Sequence, residues 1–324
     1  MTWLHLVSYL ALVSFVVAAF ARALRIASLP LHLRWELYPV AHEKKRARYG
    51  GSYFEELDWW TKPRESSLLG ELKVMIPEIL LLHGVREKNV PHWLRTFPFH
   101  FGLYLIVTTT VLLVAGGIAL AAGAPVGTGS ASTGSGGLAA LLAAATIGLG
   151  YAGFGLAFLG ASALLVRRLL EEDYREYSKG SDYFNLALFT GACGFALLAQ
   201  IVADPDFSRM QAFFATLASF GSFQPASGLS PLLAVEAVLF SLIVAYVPLT
   251  HMSHFFTKFF MWHDIRWSDE PLARGGKLER QVQEALQYKP TWSAPHIRGN
   301  GRKTWVDIAT STGIEESKKE IETP

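Results

Sequence analysis

Apolar residues along this chain come in long blocks separated by polar and charged stretches, a distribution too uneven for a typical soluble enzyme. Five blocks reach the length a helix needs to cross a bilayer, about 20 residues: 3 to 24, 98 to 122, 138 to 166, 183 to 203 and 229 to 257. A shorter apolar stretch at 74 to 85 falls below that length. The pattern predicts an all-α integral membrane bundle with five transmembrane helices. Its parts are a first helix (1–25), a cytoplasmic or interfacial loop (26–96), a four-helix core (97–260) and a polar tail (261–324).

The polar stretches have their own character. The first loop opens with the basic run Lys44, Lys45, Arg46, Arg48, passes Asp58, Trp59 and Trp60, and ends in a weakly amphipathic stretch from Ser66 to Val85. That stretch reads either as a helix lying along the membrane surface, where Trp and Tyr favour the headgroup layer, or as a connecting loop with some helix. The segment from Gly123 to Gly137 is almost entirely Gly, Ser, Thr and Ala. It lacks the Lys-Ser/Thr ending and preceding strand of a phosphate-binding loop, and reads as a flexible linker. Beyond Phe260 the tail sets Trp262, Trp267, Trp292 and Trp305 among charges, consistent with a docking arm for a soluble partner or with an exposed tail.

Composition adds little to this picture: 324 residues, 51% hydrophobic, 13% aromatic, net charge +2. The placement of charge adds more. Of 29 Lys and Arg, 13 lie between Arg22 and Arg95, four between Arg167 and Lys179, and 11 from Lys258 onward, leaving Arg209 for the other side. The positive-inside rule then predicts an external N-terminus and a cytoplasmic C-terminal tail. This is the arrangement of a multi-pass protein of a bacterial-type cytoplasmic (inner) membrane. Ala19, Phe20, Ala21 has the form of a signal-peptide cleavage site, but the basic residues Arg22 and Arg25 follow the apolar run rather than precede it, which favours an uncleaved first span.

Cysteine usage excludes several chemistries. The single Cys193 lies inside the fourth block and reads as a small packed hydrophobe. One thiol holds neither an iron–sulfur cluster nor a disulfide framework, and the Cys-x-x-Cys-His attachment of a c-type haem is missing.

Histidines stand at the mouths of two membrane-length blocks. Pro98, Phe99, His100, Phe101 opens the second, and Pro248, Leu249, Thr250, His251, Met252, Ser253, His254, Phe255, Phe256 closes the fifth. An imidazole in hydrocarbon is costly unless its nitrogens are satisfied, and intramembrane ionisable residues mark functional sites by default. With spans two and five antiparallel, His100 and His254 fall at similar depth, as axial ligands of a buried b-type haem must. His251, about one turn deeper on a continuous helix, is an alternative ligand or a hydrogen-bonding partner of a quinone or haem propionate. His92, Arg95 and Lys258 lie near the proposed haem edge, where basic groups pair with propionates. His83, His92 and His263 otherwise read as surface or interfacial residues.

Three stretches carry a family resemblance: RTFPFHFG (Arg95–Gly102), LVRRL (Leu165–Leu169) and PLTHMSH (Pro248–His254). From about residue 95 to 257 the chain resembles the membrane cytochrome b gamma subunit of respiratory nitrate reductase. It more closely resembles the related menaquinol-interacting cytochromes of sulfate-reducer and heterodisulfide-reductase-type complexes. FFTKFFMWHDIRWSDEP, TWSAPHI and KTWVDIAT resemble that second group.

The resemblance implies haem b as cofactor and menaquinone as exchangeable substrate. It implies a cytoplasmic iron–sulfur oxidoreductase subunit as partner besides membrane lipid, with no role for nucleic acid. It also implies His100 and His254 as ligands of the inner of two haems. The outer pair in that family falls at positions occupied here by Thr110 and Glu236, neither a usual haem ligand. One haem per chain is therefore expected, with quinone chemistry near the cytoplasmic face, where His251 and His92 are candidate quinone contacts. Glu236 reads as a proton relay or quinone contact, or as a neutral acid bonded to a neighbouring helix. Rival readings are a second haem held by His251 or His263 with His83 or His92, and a haem-free membrane anchor or transporter, although inverted repeats are not apparent.

Overall fold

The computed structural model describes residues 2–28, 56–58, 61–62, 67–124, 137–222, 228–260, 273–293, 297 and 299–311. Every regular element among them is helical, and five helices are long and apolar enough to cross a membrane. The protein is an all-α, multi-pass membrane protein.

The first helix, α1 (Trp3–Ser28), is followed by α2 (Leu68–Leu81), α3 (His83–Lys88) and the 32-residue α4 (Val90–Ala121). A left-handed residue, Leu82, separates α2 from α3. The α4 helix starts eight residues before the apolar block does. Asn89 caps it by accepting from the His92 amide at 2.9 Å, and Pro91, in the first turn, lacks an N–H that would be unsatisfied there anyway. The Tyr104 hydroxyl and the Trp93 indole donate to the carbonyls of Ile79 and Leu81, which pins the end of α2 against α4.

The long α5 (Gly137–Leu170) returns, and the short α6 (Glu172–Glu176) leads into α7 (Gly180–Ala203). The segment read from sequence as an external loop at 204 to 228 holds α8 (Ser208–Ala218), whose apolar positions Met210, Phe213 and Ala215 are buried. Eleven residues are too few to register as a span. Its N-terminus is closed by Asp204, whose carboxylate accepts from the Arg209 and Met210 amides and from the Ser208 hydroxyl.

The last long apolar helix, α9 (Pro231–Tyr246), is capped by Ser230 and stops early. The apolar block continues to residue 257, but the chain passes into 3-10 turns at Val247–Leu249 and His251–Ser253, then into α10 (His254–Phe260). Pro248 accounts for the break, since it offers no N–H and its ring clashes with the carbonyl four residues back. The expectation that His251 and His254 ride one continuous helix is thereby corrected. The tail holds α11 (Lys277–Leu286) and α12 (Trp305–Thr310).

Two compact units divide these elements. One comprises Met1–Ala18 and Val74–His251, the other Ala19–Lys73 and Met252–Pro324. In the first, α4 packs on α5, α5 on α7, and α7 on α9, while α8 lies on α4. Small residues permit the closest approach: a Cβ at Gly102 would meet the Ala157 backbone, and one at Gly160 would meet the Phe99 backbone. Such seams replace the hydrophobic drive that lipid-immersed helices lack. Val107, Val111, Val114 and Ile118 form an exposed apolar stripe on α4, while Gly102, Ile106, Thr109, Leu113 and Gly116 are buried. Both faces are apolar, as a helix between lipid and protein requires. In the second unit, α11 contacts α12, the Trp305 amide donates to the Tyr288 carbonyl, and Trp292 and Trp305 meet edge to face.

Candidate functional site

The basic end of the bundle gathers the N-termini of α4 and α7 with the C-termini of α5 and α9. His100, partly buried on α4, sits nearly three turns inside. Its Nδ1 lies 2.9 Å from the Thr96 carbonyl oxygen and 3.3 Å from the Thr96 hydroxyl. A carbonyl only accepts, so Nδ1 carries the proton, as it does in an imidazole that ligates through Nε2. Phe99 flanks the ring edge-on and in turn meets Phe189 of α7.

His92, in the first turn of α4, is committed elsewhere. Its Nδ1 accepts from Arg167 at 3.2 Å, and Arg167 also pairs with Glu171 at 2.7 Å and lies over the Tyr174 ring. Arg95 donates to the Pro91 carbonyl at 2.8 Å. His251 is exposed and faces Asp182 of α7 at 3.5 Å, and the same carboxylate lies 3.9 Å from Arg168. His83 pairs with Glu87 on the surface of α3 at 3.0 Å. His254 opens α10 in the second unit and is exposed. Lys258 belongs to α10, but its side chain lies outside the described residues, as does His263.

Of the sequence candidates, the structure brings His92 and Arg95 into one basic cluster on α4 with Arg167. It keeps His251 apart from that cluster, on Asp182. Arg167 and Asp182 were not expected as partners, because an Arg at the end of an apolar run reads as an ordinary boundary marker. Neither was Asn185 of α7. Its Oδ1 accepts from the Tyr246 hydroxyl of α9 at 2.8 Å, and its Nδ2 is buried without an acceptor. A flipped amide only moves the deficit to the oxygen.

At the opposite end, Thr110 faces outward and donates its hydroxyl to the Ile106 carbonyl. Glu236 is buried, with both oxygens within 3.0 Å of the Gln200 amide nitrogen on α7. Asp204 is buried just beyond α7, and loss of solvation raises its carboxyl above the usual aspartate range despite three hydrogen bonds. His5, for which the sequence offered no role, is buried on α1. It accepts from the Thr2 amide at Nδ1, so Nε2 donates to Thr216 of α8 at 2.8 Å, and Thr216 passes its own proton to the Phe213 carbonyl.

Two observations at the basic end bear on a haem: the Nδ1 of His100 is held by the Thr96 carbonyl, as in an imidazole that ligates through Nε2, and a buried amide donor beside Tyr246 lacks an acceptor. Among the described residues no group of three or more His, Cys, Asp and Glu could hold a bare metal ion, whereas a haem iron asks the protein for only two axial side chains. Compared with protein-family models and with curated proteins, the chain matches none.

Proposed function

We propose that this chain is a membrane cytochrome b subunit that exchanges electrons between menaquinol and a cytoplasmic iron–sulfur oxidoreductase subunit, with one haem b near the cytoplasmic face. The observation that carries the reading is the Nδ1 hydrogen bond from His100 to the Thr96 carbonyl. It sets the tautomer and the ring plane of the one histidine that lies well inside a long apolar helix. His254 is assigned as the second axial ligand from its place in the sequence. Haem, when bound between two histidines, supplies reversible one-electron transfer and has no open position for oxygen chemistry.

The chain's own residues do the rest. Arg95 and Arg167 concentrate positive charge where propionates would lie, and His92 accepts from Arg167 and holds it in place. Asp182 keeps His251 at the same end, where it is poised to exchange a proton with a quinol hydroxyl. The clusters that pass electrons onward belong to the partner, because Cys193 is the single thiol.

The test is optical. Full-length protein purified in detergent should give a reduced-minus-oxidised spectrum with the α-band of a low-spin b haem, and a pyridine haemochrome assay should return one haem per chain. A colourless protein would instead establish a haem-free anchor or transporter, and two haems per chain would restore the outer site.

A further inference from the structure

The Gln200–Glu236 contact has hydrogen-bonding arithmetic that does not close for an ionised carboxylate. Gln200 is wholly buried and Glu236 is 4% exposed, both in the half of the bundle away from the basic end. The Gln200 Nε2 lies 3.0 and 2.9 Å from the two Glu236 oxygens, straddling them, while its Oε1 is buried with no partner. A carboxylate has only acceptors, so Oε1 cannot turn toward it without setting oxygen against oxygen.

A protonated carboxyl changes this. After a small rotation of the amide, Nε2–H donates to one Glu236 oxygen and the acid O–H donates to Oε1. A cyclic acid–amide pair results, with every buried polar end satisfied and no buried charge. Among the described residues no cation pairs with Glu236, and the charged group acting on it is another carboxylate, Asp204. The remaining titratable groups on the elements around that end are Tyr151 on α5, Asp206 after α7, Arg209 on α8, and His5 and Tyr9 on α1.

We propose that Gln200 and Glu236 form a proton-binding site inside the bundle: Glu236 is a neutral acid at neutral pH and exchanges its proton with the aqueous phase at the end where α7 meets Asp204. On release the Glu236 O–H bond breaks and the proton passes to water. The Gln200 amide then swings to the straddling arrangement, which offers the new charge its N–H and leaves Oε1 without a donor. The pair thus has one arrangement for each protonation state, and the amide is the moving part. A thiol-free, metal-free proton site of this kind stands whether or not the chain holds haem.

Infrared spectroscopy of the full-length protein in liposomes tests it. At pH 7 the wild type should display the C=O stretch of a protonated carboxylic acid, displaced in D2O and abolished in E236Q. In Q200L the band should persist at higher frequency, because its hydrogen bonds are gone. If the wild type has no such band, or the band survives E236Q and vanishes in D204N, the proposal is overturned. A band unmoved by D2O would overturn the exchange with water, and one unmoved in Q200L would overturn the pairing. The wild-type spectrum decides even where a variant fails to fold, and its outcome is separate from the optical test for haem.

Discussion

At the scale of single residues, the informative atoms are ring and amide nitrogens whose roles follow from what they touch. Because Nδ1 of His100 donates to a carbonyl, His100→Ala should abolish haem incorporation, read as lost α-band absorbance in protein that still inserts into the membrane. His254→Ala should do the same; if haem survives that change and His251→Ala removes it, the ligand is His251. Thr110→Ala should leave haem content unchanged, since Thr110 faces outward and spends its hydroxyl on its own helix. The histidines were legible in the sequence because imidazoles at the mouths of apolar blocks stand out. Asn185 and Gln200 were not, because a lone amide in an apolar run carries no pattern, and only three-dimensional packing reveals which of its atoms lacks a partner.

At the scale of elements, seams and caps hold the bundle together. Gly160→Ala would press a methyl against the Phe99 backbone, so the α4–α5 pair must part. Overpacking of this kind costs about 1–3 kcal/mol, measurable as a lowered unfolding midpoint in detergent. Asp204→Ala removes the acceptor for two amides at the start of α8 and should cost about 0.5–2 kcal/mol by the same assay.

In the tail, Thr304 and Asp307 cap α12 reciprocally, and those hydrogen bonds hold the Asp307 carboxyl below the usual aspartate range. The folded state therefore binds this proton less readily than the unfolded state. Its contribution is full above the ordinary aspartate value of about 3.9 and is lost as the pH falls through the lower folded one. Protection factors of the α12 amides against hydrogen exchange should fall on acidification across that window, and Asp307→Asn should flatten the response. Hydropathy located the five long helices because length and apolarity are local properties. The same signal ran past the true end of α9, since Leu249, Phe255 and Phe256 keep the stretch apolar after Pro248 has ended the helix. It also missed α8, too short to span and buried through contacts distant in sequence.

At the scale of the whole molecule, the single haem proposed for the basic end would have electrons enter and leave on the same side. Quinol turnover by the reconstituted protein with its partner should build no membrane potential, as read by a voltage-sensitive dye; a potential would count against the one-haem proposal. The spans also differ in reach. At about 1.5 Å per residue the 32 residues of α4 and 34 of α5 run to roughly 50 Å, well beyond a hydrocarbon core of about 30 Å. The 16 residues of α9 and the three-residue turn after it come to only about 30 Å, counting about 2 Å per residue in the turn. The long helices can lean to suit bilayers of different thickness, whereas this one has no slack. A thicker membrane would therefore pull first on the kink at Pro248, so that lipid composition has a mechanical handle on the residues immediately after it.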